Sequence, residues 1–195
     1  MTGDASLSVE LHWRTNLFPG WPDLIARPGN TQIQQTGIGP VTVPGPAADL
    51  IYLAGHGARH VWTRLKWLAD IAWLAEARGA DALEEDLERA RAARAWFTTA
   101  HALRLAHRLI GSPLPASLAR PTWRLARHEA RALALIADPR AVPGDVRYKV
   151  QTNLAALRLA ETVGQVGGVV RYAVVRRVRV GLAGLRRRAG PRPVE

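Results

Sequence analysis

The densest chemistry in this 195-residue chain runs from His56 to Asp70, His-Gly-Ala-Arg-His-Val-Trp-Thr-Arg-Leu-Lys-Trp-Leu-Ala-Asp. His56, His60, Thr63, Lys66, Trp67 and Asp70 recur at intervals of three and four, the spacing that puts side chains on one face of a helix. On a continuous helix they form a polar and aromatic stripe beside an apolar one of Ala54, Ala58, Val61, Leu65, Leu68, Ala72 and Ala75. Lys66 and Asp70, four residues apart, are able to touch. One reading is an ion pair on a solvated face, which contributes little to stability. The other is a Lys66 ammonium that projects into a cleft toward an anionic group, with Asp70 orienting it. His56 and His60 at i, i+4 also invite zinc. A metalloprotease helix, however, carries Glu directly after the first His, where this chain has Gly57. A third ligand would have to come from a distant residue such as His12. Histidines lining a core or a cleft are the better reading.

Other chemistries are excluded or weak. The chain has no cysteine, so it has no disulfide framework, thiolate metal site or cysteine nucleophile. The glycine-rich run from Gly164 to Gly168 lacks the Lys-Ser/Thr ending of a phosphate-cradling loop. No Ser/His/Asp arrangement stands out. Trp13, Trp62, Trp67 and Trp73 read as core or interface residues, with stacking of Trp62 or Trp67 on a base as the alternative.

The elements that must position these residues are mainly helical. Residues 7–14 alternate Leu7, Val9, Leu11 and Trp13 with Ser8, Glu10, His12 and Arg14, a strand pattern. A Gly- and Pro-rich stretch, 19–46, follows. Within it residues 31–35 and 40–43 either pair as a short hairpin around Gly37-Ile38-Gly39 or form an irregular loop. Helical periodicity starts at Ala47 and stops at Gly79, and Asp81 with Glu84 resembles a capping box for the next helix. Further helices are expected over about 82–110, 121–137 and 146–163. An apolar, Arg-rich segment, 169–188, comes last. The expected organisation is a strand and hairpin region at 1–46, a helical domain at 47–188 and a disordered tail at 189–195. Because a lone strand is unstable in water, residues 7–14 need partners, from this chain, a second copy or another chain.

The net charge is +11, and residues 171–195 hold eight arginines against one glutamate. Two lysines against 25 arginines look like coding bias, so the basicity is weak evidence for a nucleic-acid partner. The N-terminal residues lack the apolar stretch of a secretory signal, and no run of about 18 uncharged apolar residues marks a spanning helix. A cytoplasmic setting is expected.

Three segments together resemble a little-characterised family of nucleotidyltransferase-fold proteins: Val9-Glu-Leu-His-Trp-Arg14, Leu53-Ala-Gly-His-Gly-Ala-Arg-His-Val-Trp62 and Arg64-Leu-Lys-Trp-Leu-Ala-Asp-Ile-Ala-Trp-Leu74. The likeness covers roughly residues 7–115. It implies a partial nucleotidyltransferase-type α+β fold: a helical bundle beside the remnant of a small mixed sheet. In that superfamily three carboxylates, two of them in an Asp-x-Asp pattern, hold divalent metal, usually Mg2+, that bridges a nucleoside triphosphate. By resemblance, Glu10 takes the place of the third carboxylate, as catalytic residue and metal ligand. Lys66 and Asp70 match the Lys and Asp of the helix that faces the cleft. Arg64 is a second phosphate candidate, and His56, His60 and Trp67 line the cleft.

The chain departs from the pattern in having no Asp-x-Asp pair. One carboxylate cannot hold two magnesium ions in the required geometry. The expectation is therefore a nucleotidyltransferase-family chain, inactive alone, whose start is misassigned, whose partner supplies the sheet, or which has decayed. The alternative is a non-enzymatic interaction module. Its basic amphipathic C-terminal helix would meet an acidic membrane or nucleic acid, unless that helix is simply a core-packing helix with an arginine-rich outer face.

Overall fold

The computed structural model describes residues 29–138 and 146–188. The expected strand at 7–14, with Glu10 and His12, and the expected disordered tail at 189–195 lie outside the described residues. What is described is mainly helical, with one two-stranded sheet. Its elements run β1 (Thr31–Thr36), β2 (Gly39–Pro44), α1 (Pro46–Arg59), α2 (Lys66–Ala92), α3 (Trp96–Ile110), α4 (Trp123–Ile136), α5 (Val146–Leu159) and α6 (Val163–Arg188), with a 3-10 turn at Ala116–Leu118.

The hairpin reading of the Gly/Pro-rich stretch is the one realised. β1 and β2 are antiparallel, with Gln35 opposite Pro40 and Thr31 opposite Pro44. Gly39 sits at φ 114°, a conformation that favours glycine. The Gly45 N–H donates to the Asn30 carbonyl at 2.7 Å, which closes the base of the hairpin just before Pro46 starts α1. Proline suits that position because its missing N–H has no intrahelical partner there anyway.

Helix α1 does not continue through His60 as the periodicity implied. It ends at Arg59, and the chain reverses through residues 60–65, with Val61 at φ 46° and Trp62 at φ 58°. The Trp62 N–H donates to the Gly57 carbonyl and that of Val61 to the Ala58 carbonyl, both at 3.0 Å. Positive φ is costly for a β-branched or bulky residue, so packing must hold the turn in place. Trp62 supplies it: the ring is fully buried and lies over Gly57. A Cβ built on Gly57 would land inside that ring. The break also corrects the apolar stripe. Val61 is buried, but Leu65 is 60% exposed on the far side of the turn.

Gly79 interrupts the next helix as expected, at φ 73° and ψ 161° inside α2. Across that interruption Arg78 grips the fully buried Asp86, with Nε at 2.8 Å and a second guanidinium nitrogen at 3.0 Å from the two carboxylate oxygens. Asp86 is thus a buried structural residue and not a surface carboxylate. The expected capping box at Asp81 and Glu84 is replaced by another contact, because Glu84 accepts from both the N–H and the hydroxyl of Ser117. The long helix expected over 82–110 is also broken. Arg94 adopts φ 58°, and α3 starts afresh at Trp96.

A capping box does occur where the sequence reading had only a glycine-rich run. Thr162 Oγ1 accepts from the Gln165 N–H at 3.2 Å, while the Gln165 side-chain oxygen accepts from the N–H groups of Glu161 and Thr162. Helix α6 then runs straight through Gly164, Gly167 and Gly168. The Gln165 amide donates to the Arg94 carbonyl at 2.9 Å, and Glu161 accepts from the Phe97 N–H at 2.6 Å. The α5–α6 turn therefore caps the α2–α3 turn. On the opposite end, the buried Glu129 of α4 binds Arg104 of α3 at 2.7 Å, and Arg104 also donates to the Leu118 carbonyl.

The core lies between α1, α2 and α3, around Leu50, Leu68, Ile71, Leu83, Leu87, Leu103 and Leu105. Trp62 and Trp67 belong to it, whereas Trp73 is 74% exposed and does not. Replacing Gly57 with Ala should displace Trp62 and destabilise the protein by about 1–3 kcal/mol, the usual cost of overpacking a filled site. Chemical denaturation of the wild type and G57A, followed by circular dichroism, measures this.

Candidate functional site

The reversal at 60–65 brings back together, by tertiary contact, residues that the sequence placed on one helix. The His60 ring stacks on Trp67 with centroids 4.8 Å apart, and His56 meets the Trp67 edge at 5.7 Å. The two imidazoles lie 4.9 Å from one another, and Tyr52 continues the row 6.0 Å from His56. Tyr148 of α5 closes it, with its hydroxyl 3.1 Å from His60 Nδ1. His56 and His60 are half-buried, so they line the surface of the helix pair and do not fill its centre.

Trp67 is nearly buried, with imidazoles against it, so its ring supports the histidines and offers no open face to a base. Trp62 is wholly enclosed, which removes the stacking reading for it as well. The cations sit at the start of α2. Arg64 precedes the helix, Lys66 is its first residue, and both are exposed. That end carries the partial positive charge of the helix dipole, which adds to the two side-chain charges. Asp70 is exposed one turn on, and no ion pair joins it to Lys66 among the described residues.

Asp49 and Tyr52 escaped the sequence reading. Asp49, Tyr52, His56 and His60 follow one another at intervals of three, four and four, so the helical spacing that flagged the histidines extends two steps back. Burial raises the Asp49 carboxyl above its ordinary value, and the like charge of Asp70 across the helix pair raises it further. Two carboxylates on neighbouring helices thus repel one another beside the histidine row. Among the described residues no three His, Asp or Glu side chains converge where a metal ion could sit. These residues do not fit a two-metal clamp, and the zinc reading of His56 and His60 finds no third ligand among them.

The cleft-facing residues lie within the region that carries the family signal. A family model described as an uncharacterised nucleotidyltransferase matches residues 3–111, and the chain belongs to that family. No curated protein and no solved structure matches it. No helix among the described residues is long and apolar enough to cross a membrane.

A carboxyl whose folded pKa is raised binds its proton more tightly in the folded state than in the unfolded one. Its contribution is therefore favourable at low pH and is lost as pH rises through the folded value. Asp49→Asn should accordingly raise the melting temperature at pH 7 and leave it nearly unchanged below about pH 3.8, where the unfolded carboxyl is also protonated. Thermal unfolding of D49N and wild type across pH 3.5 to 8 reads this difference directly.

Proposed function

We propose that this chain binds a nucleoside triphosphate at the start of α2 and forms the helical part of a metal-dependent nucleotidyltransferase. The single observation that carries this reading is the family match over residues 3–111, which includes Arg64, Lys66 and Asp70. The placement of two exposed cations at the positive end of a helix supports it physically. A lysine ammonium is a compact charge suited to phosphate oxygens, and an arginine fork adds a second grip. Asp70 orients Lys66 through the helical i, i+4 spacing, and His56, His60 and Trp67 form one wall beside it. Proteins of this family generally use divalent metal. In this reading the metal is Mg2+, Glu10 is the acidic residue this chain offers toward it, and the remaining carboxylates come from another segment or another chain. The reaction class is transfer of a nucleotidyl group to an acceptor that this sequence does not identify. The lack of cysteine fits work in the cytoplasm.

Calorimetric titration of MgATP and MgCTP into the full chain tests the reading. Saturable binding should weaken roughly tenfold in Lys66→Ala, the usual worth of one charge-assisted contact. A folded wild type that binds neither nucleotide would show that the resemblance extends to the scaffold alone.

A second reading, a helical interaction module, is favoured by α6. Gln165, Gly168 and Val169 anchor its first turns, but Val166, Val170, Tyr172, Val174 and Val175 are all 40% exposed or more. An exposed apolar row on a helix whose last residues are Arg186, Arg187 and Arg188 suits an acidic surface. Removing residues 173–195 should leave folding intact, because the anchors remain, and abolish sedimentation with anionic vesicles. Unfolding of the shortened chain would instead make α6 a core helix.

A further inference from the structure

A cavity of about 60 Å³ lies against the reversal that ends α1, enclosed by that turn together with α3, α4 and α5. Its walls are chiefly apolar, with Val61 and Leu135 among them. Two buried polar side chains face into it from the inside. Trp62 Nε1 and both ring nitrogens of His101 are buried and have no hydrogen-bond partner among the described residues. The rings stand edge to face, with centroids 6.2 Å apart. Buried donors are nearly always paired in folded proteins, so three unpaired nitrogens around one cavity call for a partner that the chain itself does not supply.

The outer end has the opposite character. Arg158 is exposed and Arg131 half-buried on the lining, and neither has a carboxylate within ion-pair distance among the described residues. His128 joins them on the lining. Burial first, and then Arg124, Arg131, Arg158 and Arg127, push its pKa down to about 4. Burial, with His128 second, holds His101 neutral with a pKa of about 3, so its imidazole has one N–H to give and one lone pair to offer. The cavity thus presents neutral donors at its depth, an apolar wall, and unneutralised guanidinium groups outside. Its volume is about that of two water molecules, which limits an occupant to a few heavy atoms.

We propose that this cavity binds a short-chain carboxylate carrying a hydroxyl or carbonyl oxygen, its carboxylate between Arg131 and Arg158 and its inner oxygen accepting from Trp62 and His101. The site is separate from Arg64, Lys66 and Asp70, and it stands whether or not the chain binds a nucleotide.

The test is a titration of 3-hydroxybutyrate into the full chain, followed through the indole N–H resonance of Trp62 by nuclear magnetic resonance. A saturable shift is expected. It should need at least roughly tenfold more ligand in the Arg131→Gln/Arg158→Gln variant, which loses both charge-assisted contacts but changes only rim positions. Lys66→Ala should bind as the wild type does. Butyrate should bind more weakly than 3-hydroxybutyrate, for want of the inner oxygen, and equal affinity would overturn that part of the assignment. An unshifted indole resonance, with a slowly exchanging water held beside it, would make the cavity a hydration site and overturn the proposal. So would a shift that the arginine variant reproduces unchanged.

Discussion

Everything this helical fold presents to solvent near its family motif depends on one contact, the Trp62 ring seated on Gly57. The contact lets the chain reverse within six residues at two positive φ values, a conformation that local energetics disfavour. Burial of the largest side chain in the core offsets that strain. Once the reversal is fixed, α2 returns along α1 and the histidines meet Trp67 face and edge. The same turn delivers Arg64 and Lys66 to the start of a helix rather than to its middle. A phosphate-binding residue gains from that placement, because helix N-termini favour anions.

The second constraint is the way the C-terminal helices close on the family-like half. Gln165 satisfies four groups at once: the N–H groups of Glu161 and Thr162, the Thr162 hydroxyl through its own N–H, and the Arg94 carbonyl. Glu161 supplies an acceptor for the Phe97 N–H. These bonds satisfy backbone groups at the break between α2 and α3, where Arg94 takes a left-handed conformation. Tyr148 adds a third link, from α5 to His60. The histidine row is therefore held from both halves of the chain, although the family match ends at residue 111.

Charge is distributed to match. The Glu129 carboxylate lies buried between Arg104 and Arg108, and Asp86 is gripped by Arg78, so the deeply buried acids are paired. Unpaired buried carboxylates would be far more costly than the pairs themselves. The arginines around His128 carry no such acids, and their mutual repulsion lowers the pKa of both His128 and Arg131. Positive charge collects on that side of the bundle, away from the carboxylates of Asp49 and Asp70.

The helical class, the hairpin pairing of 31–35 with 40–43 and the stop at Gly79 were legible in the sequence, because each rests on local periodicity or on glycine's conformational freedom. The family was legible too, through the run from His56 to Asp70. What periodicity could not reveal was that this run spans two helices. A pattern of threes and fours looks alike whether the chain continues or doubles back, and only the packing of Trp62 on Gly57 decides. Asp49 and Tyr52 were within reach, since they extend the same spacing. His101 was not: nothing local distinguishes it from any histidine on α3, and its buried, unpaired state arises from α1, α4 and α5 folding around it. Thr162 and Gln165 carried a local capping signature, but the reach of Gln165 to Arg94 is a contact across 71 residues. Sequence determined which faces could be polar or apolar, and tertiary structure alone determined which of those faces meet.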